Sequence, residues 1–339
     1  MTVRMKDIAR ELGVSIVTVS KALANSPEVG QETARRVLKL AEELDYQPDH
    51  AARSLVTGRT STVGLVVPDL VHPFFAEVID GASRVFRAHQ YGLVISSSER
   101  RAELEQREIR SMLARGLDVL MVASIQQRID SFRYIEKQQK QYILIDRRPE
   151  GVAANYVGTD DIAIGRTATK HLIDIGRTRI AYLGGADIAT VTDRLKGYQA
   201  ALRESHLAPA PEYVIGCTHA DEYEAMRILL ALKPRPDAVF CYSDRAAVTA
   251  MEAILDASLR IPEDVAIIGC GNMKYGHMLR VPLSSVDQNS EGTGEQAAKL
   301  ALTLAKAKDK SSRQSILLPP RLVVRESTVR GASLKATAA

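Results

Sequence analysis

The sequence predicts an α/β protein in two parts. A short N-terminal all-α helix-turn-helix domain precedes a long two-lobed core built on two doubly wound parallel sheets. Three observations predict this. Met5 to Leu23, reading MKDIARELGVSIVTVSKAL, carries a helical period broken once, at Gly13. From Thr62 onward, apolar runs alternate with amphipathic stretches of helix length. That alternation falls into two sets of about four or five strands each, which implies two similar lobes.

In the first stretch Ile8, Ala9 and Leu12 form one apolar stripe. Gly13 supplies the backbone freedom a turn needs. Ser15 can cap the next helix by accepting an orphan backbone N–H. Val19, Ala22 and Leu23 share a packing face, and Ile16, Val17, Ser20 and Lys21 lie on the other side. An exposed Ile-Val pair beside a lysine is a poor solvent face but a usable base-reading face. Apolar groups can touch thymine methyls, and lysine can donate to guanine O6 and N7. Thr18 and Ser20 are short hydroxyls suited to phosphates. The same period also fits a plain helical hairpin with two surface apolars, and the pattern alone leaves both open.

A turn-rich loop, residues 24–31, leads to a third helix over Glu32–Leu44, with Ala34, Val37, Leu38, Ala41 and Leu44 as its core stripe. Residues 1–46 form the first domain. In the 47–60 linker Pro48 stops what precedes it, Asp49 can cap a new turn, and Gly58 ends it. The helical segment between them is too short to be stable alone, so without context it reads as a flexible connection.

Strands are expected at TVGLVV, GLVIS, DVLMVA and YILID, with helices near Pro73–His89, Arg101–Arg115 and Ile129–Gln138. The alternation resumes with YVGTD, RIAYLGG, EYVIG, DAVFCY and DVAIIG, separated by helices near Ile162–Gly176, Asp193–Ser205, Asp221–Leu232 and Arg245–Ala257. A strand and helix follow Leu279, and SILLPPRLVV gives two short strands broken at Pro319–Pro320. The core spans 61–330, one lobe being about 61–160 with 290–320 and the other about 161–289 with 321–330. Residues 331–339 are small and polar, without a heptad, and read as a disordered tail. Ligands of such sheets bind beyond the carboxyl ends of the strands. That directs attention to Asp69–Phe75, Asp146–Arg147, Gly184–Arg194, Ser243–Asp244 and Gly269–Asn272.

Composition narrows the function. The net charge is only +4 over 339 residues, and the first sixty are nearly balanced. Charge alone therefore does not argue for nucleic acid; placed residues must. Cys217, Cys241 and Cys270 are widely spaced, and the histidines are scattered. Neither a disulfide framework nor a metal site is expected, and no cofactor. No apolar leader and no membrane-length run is present, so a cytoplasmic protein is expected. There is no phosphate-binding glycine loop, nucleophile elbow or dinucleotide fingerprint, which speaks against an enzyme with a Rossmann-like core. A solute-binding transport protein would share the core but not the front domain.

Taken in order, MKDIARELGVS, TVSKALAN, YQPDHAARSL, VGLVVPDLVHPFFAEVIDGA, GTDDIAIGRTATKHLIDIGRTRIAYLGG, RLKGYQAAL, IPEDVAIIG and LVVREST resemble the lac repressor (LacI/GalR) family of bacterial transcription regulators over nearly the full length. The resemblance implies a periplasmic-binding-protein-like core and a homodimer that reads a near-palindromic operator in double-stranded DNA. It places Ser15, Ile16, Val17, Thr18, Ser20, Lys21 and Asn25 at the DNA. It makes Asp49–Val56 a hinge helix that folds on DNA, with Arg53 at the duplex and Leu55 as a minor-groove wedge. It puts a small-molecule effector between the lobes, at Phe74, Phe75, Asp146, Arg147, Thr190, Arg194, Ser243, Asn272 and Gln288. Ser243-Asp244 stands where the family has Asn-Asp, and Asp244 by itself reads as a helix cap.

Two departures bear on the effector. Gly269-Cys270-Gly271-Asn272 replaces the family's Gly-aromatic-Asp-Asp, and Thr218-His219 stands where an aromatic platform is expected. With Arg147, Arg148, Arg194 and Arg245 near the cleft, these departures favour an acidic effector, a sugar acid or sugar phosphate.

Overall fold

The fold is taken from a computed structural model, which describes residues 3–23, 26–46, 59–125, 129–185, 188–217, 221–307 and 312–330. The hinge segment with Arg53 and Leu55, Asn25, Thr218-His219 and the tail 331–339 lie outside the described residues. The chain divides into two compact units, residues 1–60 and 61–339.

The first unit holds three helices, α1 (Met5–Leu12), α2 (Ile16–Leu23) and α3 (Gln31–Glu43). Gly13 closes α1 with φ +65°, a left-handed turn that a side chain would strain. Ile8, Ala9, Val19, Ala22, Val37, Leu40 and Ala41 make one small core. Here the expected stripe of α3 is corrected. Leu38 is 43% exposed, and Leu40 is buried instead. Val37, Leu40, Ala41 and Leu44 are spaced by three and four residues along one face. Leu38 lies about 100° round the helix from Val37, on the far flank.

The second unit has two six-stranded sheets. Its strands are β1 (Thr62–Val67), β2 (Gly92–Ser97), β3 (Val119–Val122), β4 (Gln141–Ile145), β5 (Asn155–Thr159), β6 (Ile180–Gly184), β7 (Val214–Gly216), β8 (Ala238–Cys241), β9 (Ala266–Cys270), β10 (Ser284–Asp287), β11 (Ser315–Leu318) and β12 (Arg321–Val323). The helices between them are α4 (Pro73–Ala88), α5 (Ala102–Ala114), α6 (Asp130–Lys137), α7 (Asp161–Asp174), α8 (Ala189–Glu204), α9 (Glu222–Ala231), α10 (Asp244–Asp256) and α11 (Ser290–Lys306). The first sheet runs β11-β5-β4-β3-β1-β2 and the second β12-β10-β9-β8-β6-β7. Among the described residues only β12 pairs antiparallel, with β10.

Strand β5, which the alternation alone groups with the second set, pairs with β4 in the first sheet, Leu144 opposite Tyr156. The chain therefore crosses between lobes after β5, after β10 and at Pro319–Pro320. Both faces of the first sheet are covered. Val63, Leu65 and Val67 pack on α4 and α11, and Val66 packs on the opposite side with Ile109 and Phe132. In the second lobe Tyr182 contacts Tyr198 and Phe240, with ring centroids 5.6 and 5.3 Å apart. Each such fully buried large side chain contributes about 1.5–3 kcal/mol.

Candidate functional sites

In the first unit, Thr18 N–H donates to Ser15 Oγ at 3.0 Å, and the two hydroxyls lie 2.8 Å apart. Ser15 thus caps α2, and Thr18 is tied into the cap. Burial of Val19 and Ala22 turns the opposite face outward, leaving Ile16 50% and Val17 62% exposed. Ser20 is also exposed. Lys21 Nζ contacts Glu28 Oε2. The ammonium, as hydrogen-bond donor and as neighbouring charge, holds the Glu28 carboxyl below its ordinary range. Nothing in the periodicity pointed to Glu28, because it sits in the loop after α2. The signal available was its sign: a lone acid beside the lone cation of α2.

In the second unit the carboxyl ends of the strands border a cavity of about 70 Å³. The structure brings Phe74, Phe75, Asp146, Arg147, Thr190, Arg194, Ser243 and Gln288 around it, joined by His72, Val191, Tyr242, Arg245, Met273 and Tyr275. Helix α8 begins four residues before its expected start, so Thr190 and Arg194 both project from its first two turns. Asn272 does not line the cavity. Its amide donates to Asp287 Oδ2 at 3.1 Å, and its oxygen accepts from Arg325 Nη2 at 2.7 Å. It fastens the loop after β9 to β10 and to residues beyond β12.

Asp244 is corrected as a helix cap. Ser243 Oγ caps α10 by accepting from Ala246 N–H at 3.2 Å, and Asp244 is the first helical residue. Its carboxylate instead accepts from Ser285 Oγ at 2.6 Å and from Met273 N–H at 2.7 Å. Burial pushes this carboxyl up to about 6, against those two hydrogen bonds.

The arginines of the cleft are paired with carboxylates. Arg194 Nε donates to Asp161 Oδ1 at 2.8 Å, and Nη1 donates to the Tyr242 carbonyl at 2.5 Å. Arg147 Nε lies 3.3 Å from Asp146 Oδ2. Arg245 Nη2 donates to Glu222 Oε1 at 2.6 Å. Arg148 does not line the cavity. It donates to Ser315 Oγ at 2.8 Å and stacks 4.3 Å from the centre of the Tyr156 ring. Burial raises Asp146 and Asp161 and lowers Arg147, as expected where desolvation opposes each charge. The cationic surplus that favoured an acidic effector is therefore absent among the described residues. Counting arginines missed their partners because Asp161 and Glu222 come from other elements.

Aromatic surface comes from Phe74 and Phe75, packed edge to face with centroids 5.1 Å apart, and from Tyr242 and Tyr275. Cys270 and Gly271 leave that wall without a carboxylate of their own. Among the described residues no cluster of metal-binding side chains is found, and no helix is long and apolar enough to cross a membrane.

Residues 4–49 match the model for bacterial regulatory proteins of the lacI family, and residues 169–328 match a periplasmic binding protein-like domain. The HTH-type transcriptional repressor PurR of Aliivibrio fischeri (strain MJ11) is 30% identical over 331 residues, covering 96% of this chain and 98% of that one. The chain belongs to the lacI family of bacterial regulatory proteins. It is a transcriptional regulator, not an enzyme. Among solved structures, the transcriptional regulator CelR in complex with cellobiose superposes with a TM-score of 0.73 at 28% identity, covering 96% of this chain and 99% of that one. The lac repressor dimer bound to operator and the anti-inducer ONPF superposes with a TM-score of 0.84 at 21% identity, covering 97% and 99%, a likeness of fold.

Proposed function

We propose that this lacI-family regulator is a cytoplasmic repressor that binds a near-palindromic operator as a homodimer and responds to a small effector held between the lobes of its core. The observation that carries the reading is the outward face of α2, where Ile16 and Val17 stay exposed on a well-packed three-helix scaffold. Ile16, Val17 and Lys21 meet base edges, with Ser15, Thr18, Ser20 and Asn25 on the backbone. Arg53 and Leu55 act from the hinge, Leu55 as the wedge that opens the central step. PurR relatives are named as repressors, and CelR binds cellobiose in its solved complex.

In the cleft, paired charges beside aromatic rings suit a hydroxylated, charge-balanced molecule such as a sugar better than an anion. Arg147-Asp146 and Arg194-Asp161 offer fixed donors and acceptors without net charge. Two measurements test the reading. Selection from randomised duplexes should return a two-fold symmetric site, and an asymmetric or unselected pool overturns it. A thermal-shift screen of sugars, sugar acids and sugar phosphates should find stabilisation by a neutral sugar. Stabilisation by acidic compounds alone overturns the effector class.

A further inference from the structure

Glu28 has no part in the reading face expected of α2, yet it is held beside that face. Ser26 N–H donates to the Lys21 carbonyl at 3.0 Å, so the loop folds back onto the end of the helix. Val29 N–H donates to the Ser26 carbonyl at 3.3 Å, and Val29 packs against the three-helix core. Anchored on both sides, Glu28 reaches Lys21 with a side chain that is 66% exposed. Lys21 is the sole charged residue of α2, and Glu28 cancels it. A carboxylate beside a major-groove helix repels phosphates, so it reduces affinity for DNA of every sequence unless a base rewards it. One edge does so. In the major groove a G·C pair offers the O6 and N7 acceptors of guanine next to the N4 donor of cytosine. An ammonium and a carboxylate side by side are complementary to that edge. An exposed ion pair is weakly held, so Lys21 can leave it for guanine at little cost.

We propose that Glu28 is a specificity-determining residue, forming with Lys21 one reading unit for a single G·C pair in each half-site, with Lys21 donating to guanine and Glu28 accepting from cytosine N4. This rests on α2 being the DNA-reading helix. The test uses the full chain, with selection from randomised duplexes and salt titration of binding for wild type, Glu28→Ala, Lys21→Ala and the double variant. Glu28→Ala should lose about tenfold discrimination at one G·C position per half-site. It should also bind random-sequence DNA more tightly, with the salt slope steeper by up to about one per protomer. The double variant should lose no more discrimination at that position than either single variant. Unchanged discrimination at every position overturns the proposal. With tighter random-sequence binding, that result makes Glu28 a phosphate repeller; without it, a tether for the loop. Both side chains are exposed, and unchanged melting of the variants confirms that they fold. If wild type itself selects no site, the DNA reading fails, an outcome distinct from failure of the Glu28 assignment.

Discussion

Lys21 and Arg194 are both long cations with one carboxylate partner, but their surroundings give them opposite consequences. The Lys21 side chain is 44% exposed and among the described residues its ammonium meets only Glu28, so its loss should leave the fold intact. Lys21→Ala should relax operator choice at one position per half-site by about 1–3 kcal/mol, measured by competition with single-base variants of the selected site. An equal loss on all DNA would make Lys21 a phosphate contact. Arg194 is buried, and its removal strands Asp161 without its partner. Arg194→Ala should therefore cost about 3 kcal/mol of core stability, read by urea unfolding, besides abolishing effector-induced stabilisation. A retained effector shift would move Arg194 out of the site. Asp244 supplies a pH signature. Its folded pKa is raised, so the native state keeps a proton that the unfolded chain has released. Stability should then fall by on the order of 2 kcal/mol as pH rises from about 4 to 6. Asp244→Asn should flatten that window in thermal melts, and an unaltered slope would show the carboxyl to be ionised throughout. At this scale the sequence was legible where a residue's place at the cavity follows from its position after a strand, as for Asp146-Arg147 and Ser243. It was not legible where the role depends on a distant partner, as for Asp161, Glu222 and the Arg325-Asn272 pair.

Elements were more legible than their edges and pairings. Strand β5 falls within the expected first lobe, about 61–160, but its pairing with β4 was not legible, because that register is a long-range choice that no local pattern records. The start of helix α8 was expected four residues late because Ala189 to Thr192 has no charge to mark an amphipathic turn, though the helix buries Thr190 and Val191 in its first turn. In α3 two leucines two residues apart compete for one stripe, and only packing chooses Leu40 over Leu38. What fixes α8 against α7 is the absence of side chains. A Cβ at Gly165 would overlap the Arg194 carbonyl, and one at Gly197 would overlap the Ile162 carbonyl. The two backbones touch, which sets Asp161 on α7 against Arg194 on α8. Gly165→Ala should force the helices apart. The expected result is a loss of about 1–3 kcal/mol in urea unfolding, from overpacking, together with weakened effector binding. Stability within about 0.5 kcal/mol of wild type would show that the helix pair has slack and that the contact does not position Arg194.

At the scale of the whole molecule the question is whether two units of one chain act as one device. Residues 1–60 carry α2, the helix proposed to read DNA, and residues 61–339 hold the cleft. Either could work without the other, as a constitutive DNA-binding protein or as a ligand-binding core. A regulator needs a coupling free energy between them, and such a coupling is reciprocal. If an effector changes operator affinity by some factor, the operator must change effector affinity by that same factor. Driving occupancy from nearly full to nearly empty takes a differential affinity of about 5 kcal/mol between the two states, summed over the sites of the dimer. Calorimetric titration of effector into the full-length protein, with and without a saturating selected operator, should therefore give two different dissociation constants. Their ratio should match the shift in operator affinity measured with and without effector. Equal effector affinities in the two titrations would mean that the cleft and the reading helix share a chain but not a mechanism.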